Sequence, residues 1–267
     1  MSTWQMIVTY WKSIPSVVRD HWRSLLVLNL AFIIPAVIVA FFEHDLLPWL
    51  RVGRPSEAYE WAGFIGRQGD FLYLPTWLCL IFWVFGTVFK RKSWKAGAVA
   101  VFLAAAIAGV NVNFFRLTLG RPRPSAQWED IVGTQDEKGA WFLFGAPEMP
   151  EGADPGDPPP QRLYGPSSSY HLQSLPSGHS ATSFGFSTAA CVLAPAWAIP
   201  VTIAAGSVAW ARMERNRHWP SDVLLGGSLG ASWGLIIGIA GRRLIARQKE
   251  EEEERLRKAI ANPSEEA

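Results

Sequence analysis

Four uncharged, strongly apolar runs constrain this chain more than any other feature: Leu25–Phe42, Phe71–Phe89, Ala96–Phe115 and Val223–Gly241. Each is about 20 residues long, enough helix to cross a hydrocarbon core. A backbone in lipid must satisfy its own hydrogen bonds, so runs of this kind fold as helices. Two more runs, Ser180–Ala194 and Ala196–Ala211, are shorter and richer in Ser, Thr, Gly and Ala. On length alone they would also suit buried helices of a soluble protein. Their small and hydroxylated residues fit the inside of a helical bundle in lipid, where backbones approach closely. The expectation is therefore an all-α, polytopic membrane protein with six transmembrane helices. The first run is not read as a signal peptide, because it is long, lacks an A-x-A cleavage site and sits behind a charged segment.

Lys and Arg placement sets the expected orientation. Lys12, Arg19 and Arg23 precede the first run; Lys90, Arg91, Lys92 and Lys95 fill the second connection; Arg242, Arg243, Arg247 and Lys249 follow the last run. With six crossings these segments share one side, expected to be the cytoplasm, and both termini lie there. The expected organisation is a cytoplasmic segment 1–24, a membrane domain 25–241 and a charged cytoplasmic tail 242–267. The outer connection 43–70 contains a candidate amphipathic helix, Glu57–Phe64. The long outer loop 125–175 holds seven prolines and eight acidic residues against two basic ones. Its Trp141-Phe-Leu-Phe144 patch suits either the membrane interface or local packing within the loop.

Other classes are disfavoured. A net charge of +2 with no basic aromatic stripe gives no footprint for nucleic acid. Cys79 and Cys191 both lie inside apolar runs, which argues against a disulfide or a metal pair. No carboxylate cluster suggests a metal, so no cofactor is expected. The last run carries Gly226, Gly230, Gly234 and Gly238 at four-residue spacing, one helical face on which a neighbouring helix can pack closely. That neighbour is expected within this chain, because the helix begins at chemically interesting residues; a homo-oligomer is not indicated.

Those residues lie in three short segments at the edges of apolar runs: Arg116-Leu-Thr-Leu-Gly-Arg-Pro-Arg-Pro124, Pro176-Ser-Gly-His179 and Arg212-x5-His218-x3-Asp222. Pro176 and Ser177 precede an apolar run, so Ser177 is a natural N-cap for a helix beginning near His179. The free N–H groups of such a helix start bind anions, and Gly178 permits close backbone approach. In the third segment, Trp219-Pro220-Ser221 breaks the chain and starts the last helix, with Asp222 in its first turn. From there the carboxylate can reach the His218 imidazole, fix its tautomer and leave the other nitrogen exposed as a nucleophile. In the first segment, prolines beside Arg121 and Arg123 limit the directions of the arginines, whose planar forks match phosphate oxygens. Arginines gathered on the outer side run against the usual charge trend, which points to a bound anion.

With these motifs in this order, the chain resembles the type 2 phosphatidic acid phosphatase (PAP2) superfamily, whose site is similar to that of vanadium haloperoxidases. The family pattern K-x6-R-P, P-S-G-H and S-R-x5-H-x3-D becomes here Arg116-x6-Arg123-Pro124, an intact Pro176–His179, and Ala211-Arg212-x5-His218-x3-Asp222. Two positions depart from the pattern: Arg116 stands for lysine and Ala211 for serine.

The resemblance implies a haloperoxidase-like helical bundle and a metal-independent phosphatase. It also implies roles: Arg116, Arg123, Arg212, Ser177 and Gly178 hold the phosphate, His218 attacks phosphorus with Asp222 orienting it, and His179 protonates the leaving oxygen. The expected substrate is a lipid phosphate or diphosphate, taken at the outer, periplasmic face of a bacterial inner membrane. A lipid phosphotransferase on the same scaffold and a non-catalytic lipid-binding membrane protein are the rival readings.

Overall fold

The computed structural model describes residues 1–132 and 140–261; the expected outer loop and charged tail each extend into the remainder. Nine α-helices form among the described residues: α1 (Thr3–Ala40), α2 (Glu43–Trp49), α3 (Glu57–Gln68), α4 (Leu74–Val88), α5 (Lys92–Leu119), α6 (Trp128–Val132), α7 (Gly178–Leu193), α8 (Ala198–Glu214) and α9 (Pro220–Ala261). No strand forms among them, only two isolated bridges, so the all-α expectation holds.

Three helices are long and apolar enough to cross a membrane: α1, α5 and α9. The other three expected spans are shorter helices, α4 with 15 residues, α7 with 16 and α8 with 17. At 1.5 Å per residue these are about 22–26 Å long, a little under a typical hydrocarbon thickness. α4 begins three residues later than the apolar run. Asp70 closes a turn there, accepting the Leu72 N–H, and Pro75 sits in the first helical turn.

α9 is the centre of the bundle. In its most apolar stretch 61% of residues are buried, against 6% in α1. Its glycine face packs on α7: a Cβ at Gly226 would run into the Ser177 carbonyl, and one at Gly230 into the Ala181 carbonyl. The close neighbour is thus within this chain. The small residues of α7 complete the fit, with Ser180, Ala181, Thr182, Ser183, Gly185, Ser187 and Ala189 all buried.

The expected cytoplasmic segment and first span form one helix, α1, bent where His21 leaves helical φ/ψ. Its N-terminal half buries Met6, Tyr10 and Val17 in the same cluster as Ile236, Ile237 and Leu244 of α9. The Tyr10 hydroxyl donates to the Ala96 carbonyl of α5 at 2.9 Å. Farther along, Asn29 donates to Ser232 and accepts from Ser228, pinning α1 to α9 with polar contacts inside an apolar stretch.

The candidate amphipathic helix is realised as α3. It is capped by Ser56 and buries Tyr59, Ala62 and Gly66 while Trp61 and Phe64 stay exposed. The expected outer loop has a small core of its own, Trp128, Ile131 and Leu172 with Phe142 and Tyr164 against it. Trp141, Leu143 and Phe144 remain exposed.

Candidate active site

All three motif segments meet at one end of the bundle, where α5 and α8 finish and α7 and α9 begin. Each segment ends or starts a helix for a local reason. α5 stops at Gly120, which is left-handed (φ 64°) and lies so close to Gly165 that a Cβ would strike its carbonyl. The returning connection between α6 and α7 then takes over the free carbonyls at the end of α5, since Ser167, Gly165 and Tyr164 donate to Leu117, Leu119 and Gly120. Ser177 caps α7 as expected, and Pro220 opens α9. The loop is therefore a wall of the site.

His218 sits at the bottom, fully buried. Its Nδ1 lies 2.7 Å from the Ser174 carbonyl. A carbonyl can only accept, so Nδ1 carries the hydrogen and the neutral ring keeps its lone pair on Nε2. That Nε2 faces the Arg116 guanidinium at 3.4 Å. Burial holds the His218 imidazole well below its ordinary 6.5, and Arg123, Arg116, Arg212 and His179 push the same way. The ring is thus kept neutral, as a nucleophile requires.

Asp222 occupies a different place from the one expected. Its Oδ2 stands 3.9 Å from His218 Nδ1, beyond hydrogen-bond reach. The carboxylate instead accepts from the Ser174 hydroxyl and the Trp219 N–H through Oδ2, and from Arg121 through Oδ1. The Trp219 contact closes the first turn of α9, and the Ser174 contact holds the residue whose carbonyl grips His218. Asp222 is thus joined to the imidazole through Ser174.

The remaining expected residues converge. The Arg116 Nε donates to the Pro176 carbonyl at 2.9 Å, and its guanidinium lies against Gly178, where a Cβ would come within 3.0 Å of it. Ser177 is fully buried; its oxygen accepts from the Ser180 hydroxyl, which leaves its own hydrogen free to donate elsewhere. Arg123 is held by three backbone carbonyls, of Tyr170, Arg217 and Gln173, and stacks on the Tyr170 ring at 3.9 Å. Among the described residues, two of its five N–H groups have no hydrogen-bond partner. The Arg212 Nε is buried with no hydrogen-bond partner among the described residues. A buried Nε without a partner, on a guanidinium within electrostatic reach of Arg116 and Arg123, suits an anion.

His179 lines a cavity of about 310 Å³ together with Arg116, Gly178, Thr182 and Asp70. The cavity continues along α5 past Asn113, Val110 and Gly109 to Ala106. Ten helical residues make about 15 Å of groove below the arginine. It is charged at its head and mostly apolar along its length.

The departures from the expected pattern have local explanations. Arg116 uses its fork: Nε bonds the Pro176 carbonyl while Nη2 faces His218, so two separate nitrogens serve the two contacts where lysine would bring one ammonium. The Ala211 methyl is fully buried and faces Gly66 of α3 at 3.8 Å from where a Cβ there would be.

A sequence profile described as the PAP2 superfamily matches residues 97–244, more than half of the chain and all three motif segments. The chain belongs to the PAP2 superfamily. No curated protein and no solved structure matches it. Phosphatase-type chemistry and association with a membrane go with PAP2 membership. The matched region runs from α5 into α9; α1 to α4 precede it.

Sequence reasoning missed three groups at this PAP2 site. Ser174 contributes chiefly a backbone carbonyl, which leaves no mark on residue choice. Glu43, 4% exposed, pairs with Arg121 across 78 residues of sequence. Asp70 enters the cavity from the turn before α4. Only the carboxylate of Glu43, at the very end of an apolar run, was a visible signal.

Proposed function

We propose that the protein is an integral membrane phosphatase that hydrolyses a lipid phosphate or diphosphate through a phosphohistidine on His218. The observation that carries this reading is the His218 ring: buried, neutral, its Nδ1 hydrogen tied to Ser174 and its Nε2 facing Arg116.

Arg116, Arg123, Arg212, the Ser177 hydroxyl and the amides opening α7 hold the phosphate oxygens. Positioning and charge neutralisation supply most of the catalysis in phosphoryl transfer. His218 Nε2 attacks phosphorus, forming a P–N bond as the P–O bond to the lipid breaks. His179 gives its proton to the departing oxygen. Burial, and then Arg212, Arg116 and Arg123, hold the His179 imidazole down to about 3; the negative charge of bound phosphate works against all of these and favours the protonated ring. His179 then takes a proton from water, which attacks the phosphohistidine and releases inorganic phosphate.

The groove along α5 supports a lipid substrate, because an alkyl or isoprenoid tail fits an apolar channel that ends at the arginines. Six crossings with the site on the outer, periplasmic face of a bacterial inner membrane, and both termini cytoplasmic, agree with Lys92, Arg242 and Arg243 lying at the opposite end of the helices.

The test is phosphate release from a panel of lipid monophosphates and diphosphates, with and without chelator, by wild type and His218→Ala. Wild type should release phosphate without an added acceptor, and His218→Ala should not. Release only when a lipid hydroxyl is supplied would make the protein a phosphotransferase. Full release by His218→Ala would refute the mechanism.

A further inference from the structure

Arg121 and Arg123 are two residues apart, yet their guanidiniums have opposite surroundings. Arg123 is held by neutral carbonyls, and Arg212 has an unpartnered buried Nε. Arg121 lies between two carboxylates: it donates to Asp222 Oδ1 and the Ser221 hydroxyl through one nitrogen and to Glu43 through the other. Both carboxylates are buried, Glu43 at 4% exposure and Asp222 at 0%. Glu43 spends its second oxygen on Ser221, accepting from its hydroxyl at 2.5 Å and from its N–H at 3.3 Å. That N–H is one of the free donors of the first turn of α9, so α2 caps α9 from outside.

We propose that Glu43 and Arg121 are a positioning pair for the nucleophile, and that Arg121 is not a phosphate ligand. The path is continuous. Glu43 holds Arg121; Arg121 holds Asp222; Asp222 Oδ2 holds the Ser174 hydroxyl at 2.5 Å; and the Ser174 carbonyl holds His218 Nδ1 at 2.7 Å. Each link restrains the next, and the last restrains the ring whose other nitrogen must meet phosphorus in line. A phosphate placed on Arg121 would face two carboxylates, and that repulsion leaves the arginine unsuited to the anion. Without Arg121, Glu43 and Asp222 would be two buried like charges sharing Ser221, a costly arrangement. The connection between α1 and α3 thereby becomes part of the catalytic end of the molecule, although it lies outside the family match at residues 97–244.

The proposal rests on the hydrolase reading and is tested on the full chain in detergent. Variants Glu43→Gln, Arg121→Gln, Arg121→Lys, Arg212→Gln and the double Glu43→Gln/Arg121→Gln are compared by kcat and KM on one lipid phosphate. The Kd for inorganic phosphate is measured by calorimetry, which needs no turnover. Glu43→Gln and Arg121→Gln should lower kcat by ~10–100-fold, the size of a lost charge-assisted contact. Their KM and phosphate Kd should move by less than ~3-fold, because ground-state binding is untouched. The double variant should be no worse than the poorer single, as expected of one unit. Arg121→Lys should restore much of kcat, a rescue that a general loss of folding would not allow. Arg212→Gln should instead weaken phosphate binding by ~10-fold or more. A phosphate Kd raised by Arg121→Gln as much as by Arg212→Gln would overturn the proposal, and so would multiplied losses in the double variant. If wild type bound phosphate but released none from any lipid, the hydrolase reading would fall, while the Kd comparison would still decide whether Arg121 is a ligand.

Discussion

The backbone carbonyl of Ser174 holds the Nδ1 hydrogen of His218 at 2.7 Å, with the Asp222 carboxylate standing 3.9 Å away. A neutral acceptor thus fixes the tautomer, and the charge sits one step behind it. Asp222→Asn keeps an oxygen for the Ser174 hydroxyl and the Trp219 N–H but removes the charge between Arg121 and the ring. Its kcat should fall by ~10–100-fold, the cost of a weakened charge-assisted network. The loss in His218→Ala should be far greater. Equal losses in single-turnover assays of the two variants would show that the carboxylate is as indispensable as the nucleophile.

Gly178→Ala separates binding from folding. The added Cβ would come within 3.0 Å of the Arg116 guanidinium, the far end of a flexible side chain that can move aside. At a helix start the methyl also favours the helix by up to about 1 kcal/mol. Melting temperature should hold or rise while the Kd for inorganic phosphate weakens. A variant that melts early with unchanged Kd would contradict the placement of Arg116 over Gly178.

Gly230→Ala makes the opposite prediction. A Cβ there runs into the Ala181 carbonyl of α7, which cannot move without parting two helices. The expected cost is about 1–3 kcal/mol, as for overpacking in general. It should appear as a lower melting temperature in detergent, whereas Gly206→Ala, which meets nothing within 4 Å, should be neutral or stabilising.

The His218 ring also sets a pH dependence of stability. Its folded pKa lies well below 6.5, chiefly through burial and then through the arginines. The unfolded chain therefore binds a proton near pH 6.5 that the folded chain refuses. The stability tied to this group is fully present above pH 6.5 and is lost as pH falls, at up to about 1.4 kcal/mol per pH unit. Melts of wild type and His218→Gln from pH 7 down to about pH 5 test this. The variant should show the shallower decline, and parallel declines would contradict the neutral ring.

Much of the site was legible because its residues announce themselves at helix ends. Ser177 before an apolar run is an N-cap signal, and Trp219-Pro220-Ser221 marks the start of α9. The glycine spacing from Gly226 to Gly238 correctly foretold a close helix neighbour. What stayed hidden was whatever side-chain identity does not encode. The Ser174 carbonyl is backbone, and the alternation Arg121-Pro122-Arg123 makes the two arginines look alike although only one meets carboxylates. Glu43 reads as the first polar residue after an apolar run, and only tertiary structure brings it to Arg121. Run lengths likewise overstated α4, since its first residues are drawn into the turn at Asp70.

The covalent step is the centre of the account, and stereochemistry at phosphorus tests it most directly. A lipid phosphate made chiral with oxygen isotopes would be hydrolysed in isotopically labelled water, and the configuration of the released phosphate read out. Attack by His218 followed by attack of water inverts twice, so the account predicts net retention. Net inversion would mean that water attacks the lipid phosphate directly, and that His218 is not the nucleophile.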